Sequence, residues 1–234
     1  MLKVELHAHT FDDPLDRIPH STFALIDRAA ALGYDAIAIT LHDSQLDIAP
    51  YAEYASARRL VLIPGIEREI QGCHVLLLNF SNESERVRSF EDLAQLRSRE
   101  RGLVVAPHPF YPIRGVGRNL TRHPALFDAV EYNAMYTRSL NFNRAAERWA
   151  RRNGKPLVGN GDIHRLEQLG TTYSLVDADR DATSICAAIA AGRVQLVTRP
   201  LTWPAAIRIF TSMTFGSLGR HRPSGHRPSR APVS

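Results

Sequence analysis

Short apolar runs alternate with longer amphipathic stretches along the chain. Eight runs rich in aliphatic and β-branched residues are predicted strands: 2–6, 36–40, 60–65, 73–80, 103–106, 129–133, 157–160 and 171–176. Between several of them lie three predicted helices, 21–33, 89–102 and 140–154, each of which ends at a glycine. The first two begin at a serine that is suited to cap the helix. This alternation predicts an α/β fold with a parallel sheet and crossover helices.

The predicted sheet is closed rather than open. Runs such as "AIAIT" and "LVVA" have no polar alternation, which suits strands that are buried on both faces. No glycine-rich turn follows the first strand, which argues against a dinucleotide-binding Rossmann domain. The number of repeated strand–helix units favours a barrel.

The chain divides into one domain and a C-terminal extension. A length of 234 residues suits a single α/β barrel, which we assign to residues 1–198. Residues 199–216 are apolar enough to pack on the barrel or on a partner, and the sequence leaves that choice open. Residues 217–234 are rich in Pro, Gly, Ser and Arg, and we expect them to form a basic, disordered tail.

Charge is concentrated at the C-terminal end. The net charge is +5, but seven arginines and no acidic residue follow Asp181, so the rest of the chain is slightly acidic. A high isoelectric point that comes from a tail does not by itself indicate a nucleic-acid-binding domain. The chain shows no signal-peptide pattern, no membrane span and, with two cysteines, no disulfide framework. We expect a cytoplasmic protein that is not bound to a membrane, of undetermined oligomeric state.

The candidate chemistry lies at the ends of the predicted strands. Histidines and acids follow five of these strands: His7, His9, His42, Glu67, His108, Asp162 and His164. The C-terminal ends of parallel barrel strands meet at one face, where active sites are built. We therefore expect these side chains to converge, although they are far apart in sequence.

Metal binding is the interpretation that best explains such a cluster. Residues i and i+2 of an extended chain point the same way, so His7 and His9 can bind one ion together. Imidazole and carboxylate ligands suit zinc, manganese or iron(II). A carboxylate such as Glu67 can bridge two ions. A lone histidine is more often structural, and we expect that of His20 and His123.

Seven motifs occur in a familiar order. "HAHT", "ITLHD", "PGIE", "CHVLLL", "APHP", "VEYN" and "GNGDIH" resemble the motifs of the PHP (polymerase and histidinol phosphatase) superfamily over residues 1–198. The resemblance implies a distorted seven-stranded (β/α)7 TIM-like barrel. It also implies hydrolysis of phosphoesters with two or three divalent metal ions, which we expect to be zinc, manganese or iron.

The resemblance also assigns ligands. His7, His9 and Asp162 match ligands of a first metal, and Glu67 matches the glutamate that bridges it to a second. His74 and His108 match the remaining ligands of the second metal, and His42 and His164 match ligands of a third.

Two positions depart from the family pattern. The family usually has a further third-metal ligand several residues after the first motif, and here Asp12 and Asp13 come slightly earlier; one of them is expected to serve. The second motif usually reads "TDH", whereas this chain has Leu41 at the Asp position, so we expect altered support of His42. Glu69 competes with Glu67 by strand alternation, and "PGIE" favours Glu67.

The expected reaction is hydrolysis of a small-molecule phosphate ester, such as a nucleotide or a histidinol-phosphate-like compound. His42 or His164 would protonate the leaving group, unless a third metal occupies it. Arg114, Arg118 and Arg138 are candidates for binding the substrate phosphate, because a guanidinium pairs with phosphate oxygens. The alternatives are a nuclease or oligonucleotide phosphoesterase, for which nucleic acid would be the partner, and a noncatalytic, metal-stabilised binding module.

Overall fold

The computed structural model describes residues 1–112 and 114–217; for residue 210 and residues 212–217 it describes the backbone alone. Its strands are β1 Leu2–Glu5, β2 Ala36–His42, β3 Val61–Ile70, β4 Cys73–Leu78, β5 Leu103–Ala106, β6 Ala129–Asn133, β7 Leu157–Asn160, β8 Thr172–Val176 and β9 Val194–Thr198. Its α-helices are α1 Thr22–Ala31, α2 Ala52–Ala57, α3 Phe90–Arg99, α4 Gly117–Arg122, α5 Asn143–Arg152, α6 Ala182–Ala190 and α7 Trp203–Ser217.

All nine strands form one sheet in the order β7-β6-β5-β4-β3-β2-β1-β8-β9. Parallel pairs join β1 to β2, β2 to β3, β5 to β6 and β6 to β7. The other pairs are antiparallel: β3 with β4, β4 with β5, β1 with β8, and β8 with β9. The α/β class is therefore confirmed, with a sheet of mixed direction.

The sheet curls until its ends almost meet. The backbone N–H of Gly159 in β7 donates to the Ser174 hydroxyl of β8 over 2.9 Å. A Cβ atom at position 159 would lie 2.6 Å from the Tyr173 carbonyl oxygen and from a Leu196 methyl, so only glycine allows this approach. The result is a nearly closed, barrel-like sheet.

The expected count of seven strands is not confirmed, because the described residues form nine. One reason is that β3 continues past Glu67 to Ile70 and turns through Gln71 and Gly72 into antiparallel β4. The other is β9, which the sequence did not predict. Its side chains are only partly buried, so its apolar signal is short and broken by Gln195.

The predicted helices are present, and their caps explain where they begin. The Ser21 side chain accepts from the Ala24 N–H at the start of α1. Ser89 and Asp92 form a reciprocal capping box at the start of α3. Helices α3 and α5 cover one face of the sheet with Phe90, Leu93 and Ala146.

The C-terminal extension returns to the barrel. The Leu201 N–H donates to the Tyr136 carbonyl oxygen over 2.9 Å, and α7 follows directly. Ile209 of α7 is buried. Of the expected disordered tail, 217–234, residues 218–234 lie outside the described residues. Within the described part of the chain, no helix has the length and apolar character needed to cross a membrane.

Candidate metal centre

One buried carboxylate, that of Glu67, contacts five histidine rings. Glu67 lies inside β3, beside His42 of the parallel neighbour β2. Its Oε2 atom lies 3.2 Å from Nε2 of His7, 3.3 Å from Nε2 of His9 and 3.2 Å from Nε2 of His42. Its Oε1 atom lies 2.6 Å from Nδ1 of His74 and 3.2 Å from Nε2 of His108. Four strands or strand ends therefore bring five imidazoles to a single side chain.

Asp162 closes the cluster from the end of β7. Its Oδ1 atom lies 3.4 Å from Nε2 of His7 and 3.7 Å from Nε2 of His9. Asp162 and His108 both have positive backbone φ angles, 51° and 27°. Residues other than glycine rarely adopt this conformation, and it is found preferentially where function fixes the backbone.

The donor atoms form four sets that could each hold an ion. In every set the atoms lie within 4.8 Å of one another. The sets are His7, His9 and Asp162; His7, Glu67 and His108; His42, Glu67 and His74; and His9, Asp13 and His42. These nitrogen and oxygen donors suit zinc, manganese or iron(II).

Two buried nitrogen atoms without hydrogen-bond partners indicate that cations fit the cluster. Nε2 of His7 and Nε2 of His9 have no hydrogen-bond partner among the described residues. Leaving a buried polar atom unpaired is costly. Both atoms face the Glu67 and Asp162 carboxylates, so a divalent ion would satisfy them and neutralise the acids.

The ionisation of the cluster shows the same complementarity. Burial alone lowers the pKa of His7, but Asp162, Glu67 and Glu131 outweigh it and raise this pKa well above the usual value. Burial alone raises the pKa of Glu67, yet His7, His74 and His42 bring this pKa well below the usual value. Protons therefore hold the metal-free cluster together, and cations must compete with them.

The chain was compared with protein families, curated proteins and solved structures. Residues 141–194 match the model of the PHP-associated family. No curated protein matches the chain.

Several solved structures share the fold. PsfC from Pseudomonas syringae PB-5123 is 17% identical, with a TM-score of 0.63 over 92% of this chain and 97% of that chain. A candidate metal-dependent phosphoesterase from Bifidobacterium adolescentis is 15% identical, with a TM-score of 0.53 over 69% and 87%. The lesion-specific endonuclease PfuEndoQ from Pyrococcus furiosus is 14% identical, with a TM-score of 0.55 over 89% and 66%.

The family match covers residues 141–194, and the solved structures show a shared fold. The PHP-like motifs in the sequence are thus placed on a matching architecture.

Behind the Glu67 cluster, two carboxylates orient the rings. Glu131 of β6 holds Nδ1 of His7 at 2.8 Å, and Asp13 holds Nδ1 of His9 and Nδ1 of His42, both at 2.9 Å. An ionised carboxylate only accepts hydrogen bonds, so each Nδ1 carries a proton, and each Nε2 faces the centre, where it can bind a cation once it has released its own proton. Glu131 lies in the "VEYN" motif, and the sequence alone predicted no role for it.

The acids after the first motif have three different positions. The Asp12 carboxylate contacts the hydroxyls of Thr10 and Thr22, at 3.2 and 3.3 Å. Asp13 supports His9 and His42, and its Oδ2 atom also accepts from the His42 N–H. Asp16 was not among the predicted site residues, and its Oδ2 atom lies 3.1 Å from Nε2 of His164. Asp16 lies later in the loop than Asp12 and Asp13, which come slightly before the position of the family's further ligand. That spacing could have identified Asp16 from the sequence.

Support for His42 comes from Asp13 rather than from position 41. Leu41 is buried in an apolar cluster with Ile26 and Tyr51. Since the Asp13 carboxylate contacts both the backbone N–H and the ring of His42, the ring is held without an acid at position 41.

His42 and His164 both line the cavity above the cluster. Nδ1 of His164 lies 3.3 Å from Oδ1 of Asp162. Burial and His9 lower the pKa of His164, but Asp16 and Asp162 outweigh them and raise it to about 9.

The three candidate arginines have different surroundings. Arg114 lines the cavity; its guanidinium pairs with Glu69 and lies 3.1 Å from Nε2 of His74. Arg118 lines a separate depression with Arg122. Arg138 is exposed and does not line the cavity. Glu69 thus faces Arg114, while Glu67 faces the histidines.

Proposed function

We propose that this protein is a metal-dependent phosphoesterase that hydrolyses a small-molecule phosphate monoester at the Glu67 cluster. The observation that carries the proposal is the contact of one buried carboxylate with five imidazoles. A structural core has no use for so many titratable groups without cations to neutralise them.

Two ions, zinc, manganese or iron, would share Glu67. His7, His9 and Asp162 would hold the first, and His74 and His108 would hold the second. A third would be held by His42 and His164, with Asp16 as the carboxylate that faces His164. When bound, such ions activate water as a nucleophile and stabilise charge on phosphate oxygens.

The protein groups around the ions have separate tasks. Arg114 is placed at the cavity wall to pair with a phosphate oxygen, after exchanging its contact with Glu69. His42 and His164 line the cavity beside the cluster. Without a third ion, one of these two rings would protonate the leaving oxygen.

A nuclease is the second candidate. Its support is the excess positive charge of the C-terminal part of the sequence. Residues 182–234 contain seven arginines and no acidic residue, and this charge would attract a polyanion. The cavity itself argues against it, because Arg114 is the sole lysine or arginine among the described residues that line it. A noncatalytic binding module would be expected to lack ligands, and here the donors converge.

Phosphate release tests the proposal. Purified protein loaded with manganese or zinc should hydrolyse p-nitrophenyl phosphate and some natural phosphomonoesters, and Glu67→Gln should abolish this. Glu147→Gln on α5, which is exposed and does not line the cavity, is the matched control and should retain turnover. Release of phosphate only from oligonucleotides would favour the nuclease, and no release from any ester would refute the proposal.

A further inference from the structure

The mouth of the cavity is unusually apolar. Seven large hydrophobic side chains of the described residues are exposed to solvent. Five of them line this one cavity: Leu15, Leu140, Phe142, Trp203 and Ile207. Scattered exposed hydrophobic residues need no explanation, whereas a contiguous group around a concave site marks a binding surface.

Three separate segments build this apolar mouth. Leu15 lies in the loop after the first histidine motif, and Leu140 and Phe142 precede α5. Trp203 and Ile207 lie four residues apart on α7, so they share one face of that helix. Trp203 is 52% exposed and Ile207 57%. The C-terminal helix therefore contributes to the wall of the cavity.

The floor of the same cavity is polar and metal-binding. His42, Glu67, His74, His108 and Asp162 line it, within a volume of about 690 Å³. The cavity is thus divided into an ionic floor, which suits a phosphoryl group, and an apolar mouth. A phosphate that reaches the floor leaves its ester group against the mouth.

A polyanion does not fit this division. Each phosphate bound along a nucleic acid typically pairs with a lysine or arginine, and Arg114 is the sole such side chain described in the cavity. A sugar would leave its hydroxyl groups facing Leu140, Phe142 and Trp203, where hydrogen-bond partners are few.

We infer that the substrate is a phosphate monoester of an apolar alcohol, with an alkyl or aryl group that packs against the mouth. This inference rests on the proposed function, because it assigns the ester side of the same reaction. The alkyl or aryl group is the occupant, and Trp203 and Ile207 determine the preference for it.

A homologous series of alkyl phosphates tests the inference. Ethyl, butyl and hexyl phosphate have leaving alcohols of similar acidity, so they differ mainly in apolar area. Burial of one methylene group is worth about fourfold in affinity when it is complete. We expect kcat/KM of the manganese-loaded full chain to rise by roughly tenfold or more from ethyl to hexyl phosphate, since the mouth buries the chain only in part.

Variants of the mouth should remove this preference. Trp203→Ala and Ile207→Ser should each lower the ratio of hexyl to ethyl turnover severalfold, and both side chains are exposed enough for the fold to tolerate the change. The ratio is internal, so a general loss of activity cancels. Phe11→Ala is the matched control, because Phe11 is also exposed and does not line the cavity; its ratio should stay at the wild-type value.

A binding measurement separates this inference from the proposed function. Hexylphosphonate should bind the manganese-loaded protein roughly tenfold more tightly than ethylphosphonate, whether or not any ester is hydrolysed. Equal affinities, or equal turnover of ethyl and hexyl phosphate, would overturn the apolar-substrate inference and leave the phosphoesterase intact. Absence of hydrolysis of every ester, with the phosphonate preference retained, would overturn the reaction alone. Preferred turnover of a short oligonucleotide would overturn the inference in favour of nucleic acid.

Discussion

Oε2 of Glu131 lies 2.8 Å from Nδ1 of His7, while Nε2 of the same ring faces Glu67 at 3.2 Å. Glu131 also accepts from the Asn160 amide, at 3.1 Å, and from the His108 N–H, at 3.2 Å. One buried carboxylate thus fixes the ring of a candidate ligand and the backbone of another. Glu131 is a positioning residue, and its role can be separated from that of the ligands.

Replacing Glu131 with glutamine should weaken metal binding without unfolding the protein. Glutamine keeps one acceptor but loses the charge that makes His7 a stronger ligand, and such changes typically cost 10–100-fold in metal affinity or activity. Calorimetric titration with manganese or zinc measures the effect. The exposed Glu147→Gln on α5 is the control, and equal affinities in the two variants would remove Glu131 from the centre.

The acids of the first loop should differ in their effects. Asp16→Asn removes the carboxylate charge that faces His164, so we expect turnover to fall by roughly tenfold or more, as when a metal-binding ring loses its hydrogen-bonding carboxylate. Asp12→Asn alters the contacts with the buried hydroxyls of Thr10 and Thr22. Because an asparagine oxygen can still accept from these hydroxyls, turnover should stay within about twofold. Steady-state kinetics of the two variants measures this difference. A larger loss of turnover in Asp12→Asn than in Asp16→Asn would contradict the role of Asp16 at His164.

Arg114 should matter more for substrate binding than the other two candidate arginines. Arg114→Ala should raise KM by roughly tenfold or more, which corresponds to one lost charged hydrogen bond. Arg118→Ala and Arg138→Ala, which alter side chains outside the cavity, serve as controls with little expected change. A large rise of KM in Arg118→Ala instead would assign phosphate binding to the neighbouring depression.

The stability of the protein should fall at alkaline pH through Cys186. Burial raises the pKa of this thiol from 9.0 to about 12. The folded state therefore keeps a proton that the unfolded state releases, and stability falls as the pH rises above 9. By pH 10 this linkage amounts to about 1.4 kcal/mol of unfolding free energy.

Urea unfolding of the wild type and of Cys186→Ala at pH 8 and pH 10 measures this loss. The wild type should lose more stability than the variant between the two pH values by about that amount. A pH-independent cost of the smaller side chain cancels in the comparison. Parallel losses in both proteins would show that Cys186 ionises in the folded state.

Strand patterns made much of the fold predictable. Strand β2 is buried at all seven positions, as its unbroken apolar run indicated, and helices α1 and α3 begin at the serines that the sequence suggested. Strand β9 was not predicted, because it lies at the end of the sheet and its side chains are partly exposed. Strands β3 and β4 were predicted as separate strands of a parallel sheet. In the structure they form a hairpin, because the turn at Gln71 and Gly72 returns the chain antiparallel.

The convergence of the centre was predictable for a physical reason, and its supports were not. Residues at the ends of neighbouring parallel strands must lie near one another, which brings His42 next to Glu67. The supports depend on loop paths that no periodicity encodes. Asp16 reaches His164 across 148 positions of sequence, and Glu131 reaches His7 across 124. Likewise, only the path of the loop after β5 separates Arg114 from Arg118.

Anomalous diffraction from crystals of the manganese-loaded protein tests the central claim most directly. We expect at least two manganese peaks, one at each carboxylate oxygen of Glu67, with His7 and His9 beside the first and His74 and His108 beside the second. Absence of any peak in contact with Glu67, in crystals that bind manganese elsewhere, would contradict it.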